Sequence, residues 1–188
     1  MAKNSKRSHP LMTRQHVYRI LAVGFVCYLF HLSTDVRILS TFVESDPNEV
    51  YYLLKDPINL LNLHPKAVEV KIVDRRSQMT LDFAEFYMTE SLPFGNSTTL
   101  INLIANPVER KVTLLVNEFF NLLKISIEWN IYGINKGTKA YTQIKEEIRV
   151  TCPFLLKYVI GEMLFQSHQV IAYRIQQKYS TEPDIVLL

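Results

Sequence analysis

Leu123-Lys124-Ile125-Ser126-Ile127-Glu128-Trp129-Asn130-Ile131, followed by Ala140 to Val150 and then Phe154 to Tyr179, is the stretch on which the fold turns. Its odd positions Leu123, Ile125, Ile127, Trp129 and Ile131 are apolar, while Lys124, Ser126, Glu128 and Asn130 are polar. This period of two is the mark of a strand with one dry and one wet face. A turn at Asn135-Lys136-Gly137 separates it from a second strand. There Ala140, Thr142, Ile144, Ile148 and Val150 oppose Tyr141, Gln143, Lys145, Glu147 and Arg149. Cys152-Pro153 breaks that strand, and Phe154 to Tyr179 then runs without proline and with one glycine, as a long helix does. Two strands leading into a helix this long predict a curved sheet held against it, an arrangement suited to an apolar ligand.

Working back toward the amino terminus, Val36 to Ser45 reads as an opening strand. Ser45-Asp46-Pro47 with Glu49 is a helix start, with proline at the first helical position and an acid in the first turn. The helix Pro47 to Lys55 ends before Pro57, and a second, Ile58 to Leu63, ends before Pro65. Strands follow over Ala67–Arg75, Gln78–Ser91, Thr98–Ala105 and Lys111–Phe119, with turns at Pro93-Phe94-Gly95-Asn96 and Asn106-Pro107. The expected class is α+β: a seven-stranded curved antiparallel sheet, two short helices after the first strand, and a long C-terminal helix.

That order resembles the helix-grip fold of the superfamily containing START lipid-transfer domains, birch-pollen-allergen-like proteins and polyketide cyclases. Asp46-Pro47-Asn48-Glu49-Val50-Tyr51, Leu54, Asp56-Pro57 and Leu63-His64-Pro65 look like the segment where the superfamily places its paired helices. The resemblance covers about Val36 to Tyr179 and implies a hydrophobic ligand held between the sheet and the last helix. A lipocalin-like barrel is the alternative, but such barrels lack a helical pair after the first strand.

The chain has 188 residues, 48% hydrophobic and 21% charged, enough for one domain with a real core and an appendage. The net charge of +3 is modest and is concentrated in Lys3, Lys6, Arg7, Arg14 and Arg19, all before the first acid, Asp35. The remainder has no basic cluster of the kind nucleic acid demands, so no nucleic-acid partner is expected. The segmentation expected is a basic arm at 1–16, a transmembrane or signal-anchor segment at 17–34, the ligand-binding domain at 35–180 and a tail at 181–188. The apolar block from Val17 to Leu32 is shorter than the ~20 residues that cross a bilayer comfortably, with Arg19 and His31 at its ends. Membrane placement in the endoplasmic reticulum or secretory pathway is the expectation, a mitochondrial presequence or a buried helix being alternatives. Asn96-Ser97-Thr98 is a glycosylation acceptor that would suit a lumenal domain, whereas Asp184 to Leu188 resembles a dileucine signal read only in the cytosol.

No nucleophile elbow, phosphate loop, dinucleotide fingerprint, zincin or paired-cysteine motif occurs, and no cofactor or metal is expected. Cys27 and Cys152 lie in unrelated contexts and suggest no disulfide. Of five histidines, three lie in or beside the amino-terminal segment. His64 closes the second short helix, where a cation near the last carbonyls is stabilising, with a cavity-mouth role the alternative. His168 reads as a mid-helix boundary residue. Carboxylates that fall in apolar registers are the sharper signal: Glu146 between Ile144 and Ile148, Glu118 after Val112, Leu114 and Val116, and Glu85 after Leu81 and Phe83. An inward carboxylate in a dry cavity is a candidate acid, base or polar anchor, while a strand end or bulge would turn it outward.

The residues expected to line the cavity are Leu81, Phe83, Tyr87, Trp129, Ile131, Ile144, Leu156, Ile160, Met163, Leu164 and Ile171. The function expected is binding, and transfer, of a lipid, sterol or isoprenoid near a membrane. The rival readings are a cyclase/dehydrase-type enzyme using Glu146 or Glu118, and a solidly packed protein-interaction domain. Neither ligand identity nor oligomeric state is legible.

Overall fold

The computed structural model describes residues 14–93, 95–136 and 139–180. The basic arm up to residue 13 and the dileucine-like tail lie outside the described residues. In chain order the elements are α1 (Arg14–Leu29), β1 (Leu32–Val43), α2 (Pro47–Leu54), α3 (Pro57–Leu63), β2 (Ala67–Gln78), β3 (Leu81–Leu92), β4 (Gly95–Asn106), β5 (Lys111–Glu118), β6 (Leu123–Lys136), β7 (Lys139–Pro153) and α4 (Phe154–Tyr179). The strands form one antiparallel sheet in the order β1-β7-β6-β5-β4-β3-β2. β1 and β2 are thus opposite edges, and the short helices carry the chain from one to the other.

Both short helices begin as their sequences dictate. The Asp46 carboxylate accepts the Asn48 N–H at 2.7 Å, and Ser45 Oγ donates to Glu49 at 2.7 Å. Asp56 accepts the Ile58 N–H at 3.2 Å, with Pro57 at the first helical position. Val50, Leu54, Leu60 and Leu63 from this pair enter the core beside Val112, Trp129, Ile131 and Ile148 of the sheet. Thr142 Oγ1 anchors the turn before α2 by donating to the Ser45 carbonyl at 2.7 Å. Gly133 permits a close approach there: a Cβ at that position would stand 2.9 Å from the Pro47 ring.

α4 lies across β1 and β7. It is held by Arg37, which meets Glu162 at 2.6 Å and Asp35 at 2.9 Å. Gly161 brings helix and strand together, since a Cβ there would come within 2.7 Å of the Asp35 carboxylate.

The opening strand begins at Leu32, four residues earlier than the pattern suggested, so residues 32–34 belong to the sheet. Paired with Pro153 through Thr151 of β7, they satisfy their backbone in the ladder. α1 has 16 residues, and no described helix is long and apolar enough to cross a membrane. Tyr18, Ile20, Leu21, Val23, Phe25 and Val26 on it are exposed. Asn96, expected in a loop, is an exposed residue of β4 paired with Ser91.

Candidate functional site

The inner face of the sheet and the underside of α4 do not meet completely. Between them lies a cavity of about 250 Å³ lined by Leu60, Met88, Ile101, Leu114, Val116, Leu123, Ile125, Ile127, Trp129, Leu164 and Ile171. A water occupies only ~10–15 Å³ on this scale, so the space suits an organic molecule. The polar groups are few: His64, Glu90, Glu118, His168 and the Ser97-Thr98-Thr99 run. Among the described residues, no lysine or arginine lines it.

β7 and α4 supply a buried pair in its wall, of which His168 lines the cavity. Glu146 lies in the buried even register of β7, opposite Trp129 of β6, and is 3% exposed. Its Oε1 meets Nδ1 of His168, also 3% exposed, in a short hydrogen bond. The Trp129 and His168 rings lie 6.1 Å apart between centroids. The contact through Nδ1 fixes the orientation of the ring and leaves Nε2 as the nitrogen available to another partner. The arrangement is a buried imidazole oriented by a carboxyl group, beside an apolar space.

A second imidazole stands nearby. His64 Nε2 is 3.3 Å from Glu90 Oε1, and His64 Nδ1 accepts the Lys66 N–H at 3.4 Å. Burial pushes His64 down to about 4, with coulombic effects of His168, Lys66 and Arg174 adding to it. Its contact with Glu90 is therefore that of a neutral imidazole beside a carboxyl, not an ion pair. Burial also raises the Glu90 carboxyl above its ordinary value.

Several expected residues are placed otherwise. His64 does not cap α3 with its ring, which turns toward the cavity; Arg174 of α4 donates to the Asn62 and Leu63 carbonyls, both at 3.1 Å. His168 is not a boundary residue but sits in the inward stripe of α4 with Leu164, Ile171 and Ile175. The inward face of β3 carries Ala84, Phe86 and Met88. Leu81, Phe83, Glu85 and Tyr87 thus belong to the opposite face, where Arg76 lies 5.5 Å over the Phe83 ring. Both faces of this strand are greasy, so periodicity could not tell which one turns inward.

Of the remaining candidates, Trp129, Leu164 and Ile171 line the cavity. Ile131 and Ile144 are core residues outside its lining, and Ile160 packs partly buried against the core. Leu156 and Met163 face outward, about half exposed. Glu118 reaches the cavity at the end of β5, half-buried. His168 was legible in principle, because spacings of four, three and four along α4 put it in register with Leu164, Ile171 and Ile175. His64, Glu90 and Met88 had no comparable signal.

The geometry has known counterparts. The chain superposes on the ZhuI aromatase/cyclase of Streptomyces sp. R1128 with a TM-score of 0.59 at 11% identity, covering 80% of this chain and 98% of that one. A START superfamily protein of Mycobacterium smegmatis gives 0.52 at 13% identity, covering 76% and 97%. The di-domain aromatase/cyclase BexL of the BE-7585A biosynthetic pathway gives 0.57 at 14% identity, covering 79% of this chain and 48% of that one. No family model and no curated protein matches the sequence. At these identities the likeness is one of fold. The chain shares the helix-grip fold of these structures, with a seven-stranded sheet, paired short helices and a long C-terminal helix.

Proposed function

We propose that this protein binds a neutral hydrophobic molecule, of the lipid, sterol or isoprenoid kind, between the sheet and α4, and passes it to or from a nearby membrane. The observation that carries this is the cavity of about 250 Å³ with apolar walls, two histidines, two carboxyls and, among the described residues, no lysine or arginine in its lining. Burial of an apolar molecule there is favourable by ~25 cal/mol per Å² removed from water. The absence of a lining lysine or arginine disfavours an anionic headgroup inside, whereas His64, Glu90 and His168 suit a hydroxyl or carbonyl. The exposed apolar side chains of α1 support the membrane part of the reading, at a membrane of the secretory pathway. Native mass spectrometry of the detergent-extracted full chain, with lipid identification, tests the proposal. A stoichiometric neutral lipid supports it, and ligand-free protein after gentle extraction overturns it.

One observation favours a second reading, an enzyme of the cyclase/dehydrase type. The carboxylate-set imidazole of His168 would take a proton from a polarised ligand through Nε2. The ZhuI and BexL aromatase/cyclases share the fold, which adds weight to that alternative. If Glu146→Gln retains ligand but stops its conversion, the enzyme reading replaces simple binding.

A further inference from the structure

The mouth of the cavity is surrounded by exposed apolar side chains that folding does not require. The ladder register locates them. Glu118 pairs with Leu123, Lys124 with Thr151, and Thr151 in turn with Thr34. The β5–β6 turn, the start of α4 and the end of α1 therefore share one end of the sheet, and the Tyr28 and Phe154 rings meet there at 5.3 Å. Phe119 of that turn both lines the cavity and is 69% exposed. Next to it Phe120 is 100% exposed, and Leu122 is exposed as well. On the first two turns of α4, Leu155, Tyr158 and Val159 are each more than half exposed.

The turn itself is unusual for what it displays. The Leu122 N–H donates to the Phe119 carbonyl at 3.1 Å, closing a tight hairpin. Its central residues Phe120 and Asn121 have φ of 54° and 70°. Glycine and asparagine take this conformation most readily, and an aromatic side chain there is disfavoured. A fully exposed phenylalanine in that position breaks a local folding rule with no compensating contact, which is how functional positions are recognised.

We infer that this end of the molecule is a docking surface for an anionic lipid bilayer, with the Phe119-Phe120 tip and the first turns of α4 inserted beside the cavity mouth. The charges point to the bilayer as occupant. Lys124 is exposed in the same region, and Lys157 lies 5.5 Å over the Phe154 ring and 4.9 Å over that of Tyr158. The chain leading into α1 carries Lys3, Lys6 and Arg7, and α1 itself carries Arg14 and Arg19, with no acid before Asp35. Apolar tips rimmed by lysines match the boundary between acyl chains and anionic headgroups. The inference builds on the cavity reading, since it places the cavity mouth against the source of the ligand.

The test uses the full chain and vesicles of phosphatidylcholine with or without phosphatidylserine. Trp129 is the single native tryptophan and is buried, so Phe120→Trp adds a surface reporter, with Leu155→Trp as a second site should the first disturb the turn. Anionic vesicles should shift the added emission to the blue, and brominated acyl chains should quench it. Lys124→Ser with Lys157→Ser should weaken partitioning roughly thirtyfold, from about 1 kcal/mol per lysine. Protein that floats with vesicles while neither added tryptophan responds is held by α1 alone and overturns the inference. So does a blue shift that grows with protein concentration in the absence of lipid, which would mark a contact between copies. Native mass spectrometry of retained ligand reports separately on the cavity: a ligand-free chain whose tip inserts would sink the cavity reading and leave docking standing.

Discussion

Glu146 of β7 and His168 of α4, 22 residues apart in the chain, share a hydrogen bond in the interior where each is 3% exposed. The bond ties the helix to the sheet beside the cavity. Removing one partner leaves the other buried with nothing to pair, which costs about 3 kcal/mol. Glu146→Leu and His168→Leu should each destabilise to that extent in urea unfolding. The double variant should lose clearly less than the sum of the two. Additive losses in the double-mutant cycle would show that the pair is not coupled.

His64 makes stability depend on pH. Its ordinary value is 6.5 and burial pushes it down to about 4 in the folded protein. Between those values the unfolded chain binds the extra proton, so stability falls as pH falls through this window. The full effect of His64 alone is about 3 kcal/mol, from ~1.36 kcal/mol per pH unit. Glu90 opposes it: its carboxyl is raised by burial, so the folded state takes up that proton first and gains stability as pH falls. The net loss between pH 6.5 and 4 should therefore be smaller than His64 alone would give. His64→Phe should flatten this part of the profile, measured as urea midpoints across pH. An unchanged slope would remove His64 as its source.

Filling the cavity separates binding from folding. Leu114→Trp extends a lining side chain into free space, so stability should hold within about 1–2 kcal/mol. Copurified ligand should drop by about tenfold or more, a change of ~1.4 kcal/mol in affinity. Undiminished ligand in a folded variant would place the binding site elsewhere.

Gly133→Ala puts a methyl 2.9 Å from the Pro47 ring, which cannot swing aside. The expected loss is about 1–3 kcal/mol, the usual cost of overpacking. In thermal unfolding this corresponds to ~2–4 °C per kcal/mol for a chain of this size. Gly24→Ala is the control, having no neighbouring atom within 4 Å. Equal melting temperatures for the two variants would mean that the Pro47 contact relaxes freely.

Much of this architecture was written in local chemistry. The alternation from Leu123 to Val150 identified the closing strands and their dry faces, including Glu146 in the buried register. Asp46-Pro47 marked the first helix start and Pro57 the boundary between the two helices, because capping and proline act on neighbouring residues, although Asp56 proved to cap a second helix that begins at Pro57 itself. Even so, β3 defeated the same reasoning: with Phe83 and Tyr87 on one side and Phe86 and Met88 on the other, a period of two cannot say which face turns inward.

α4 shows the other limit. Apolar residues surround it, so hydropathy placed Leu156 and Met163 on the inner face, while the true stripe includes Gly161, Ser167 and His168. Gly161 is inward because Asp35 leaves no room for a larger residue, and His168 because Glu146 satisfies its ring nitrogen. Neither reason exists within the helix. By itself the sequence determined the elements, their order and the fold they build, because capping, turns and alternation act over a few residues. Which histidine joins which carboxylate, where the empty space lies and which end displays its greasy tips were decided only by tertiary structure, because those depend on atoms that distant segments bring within a few ångströms.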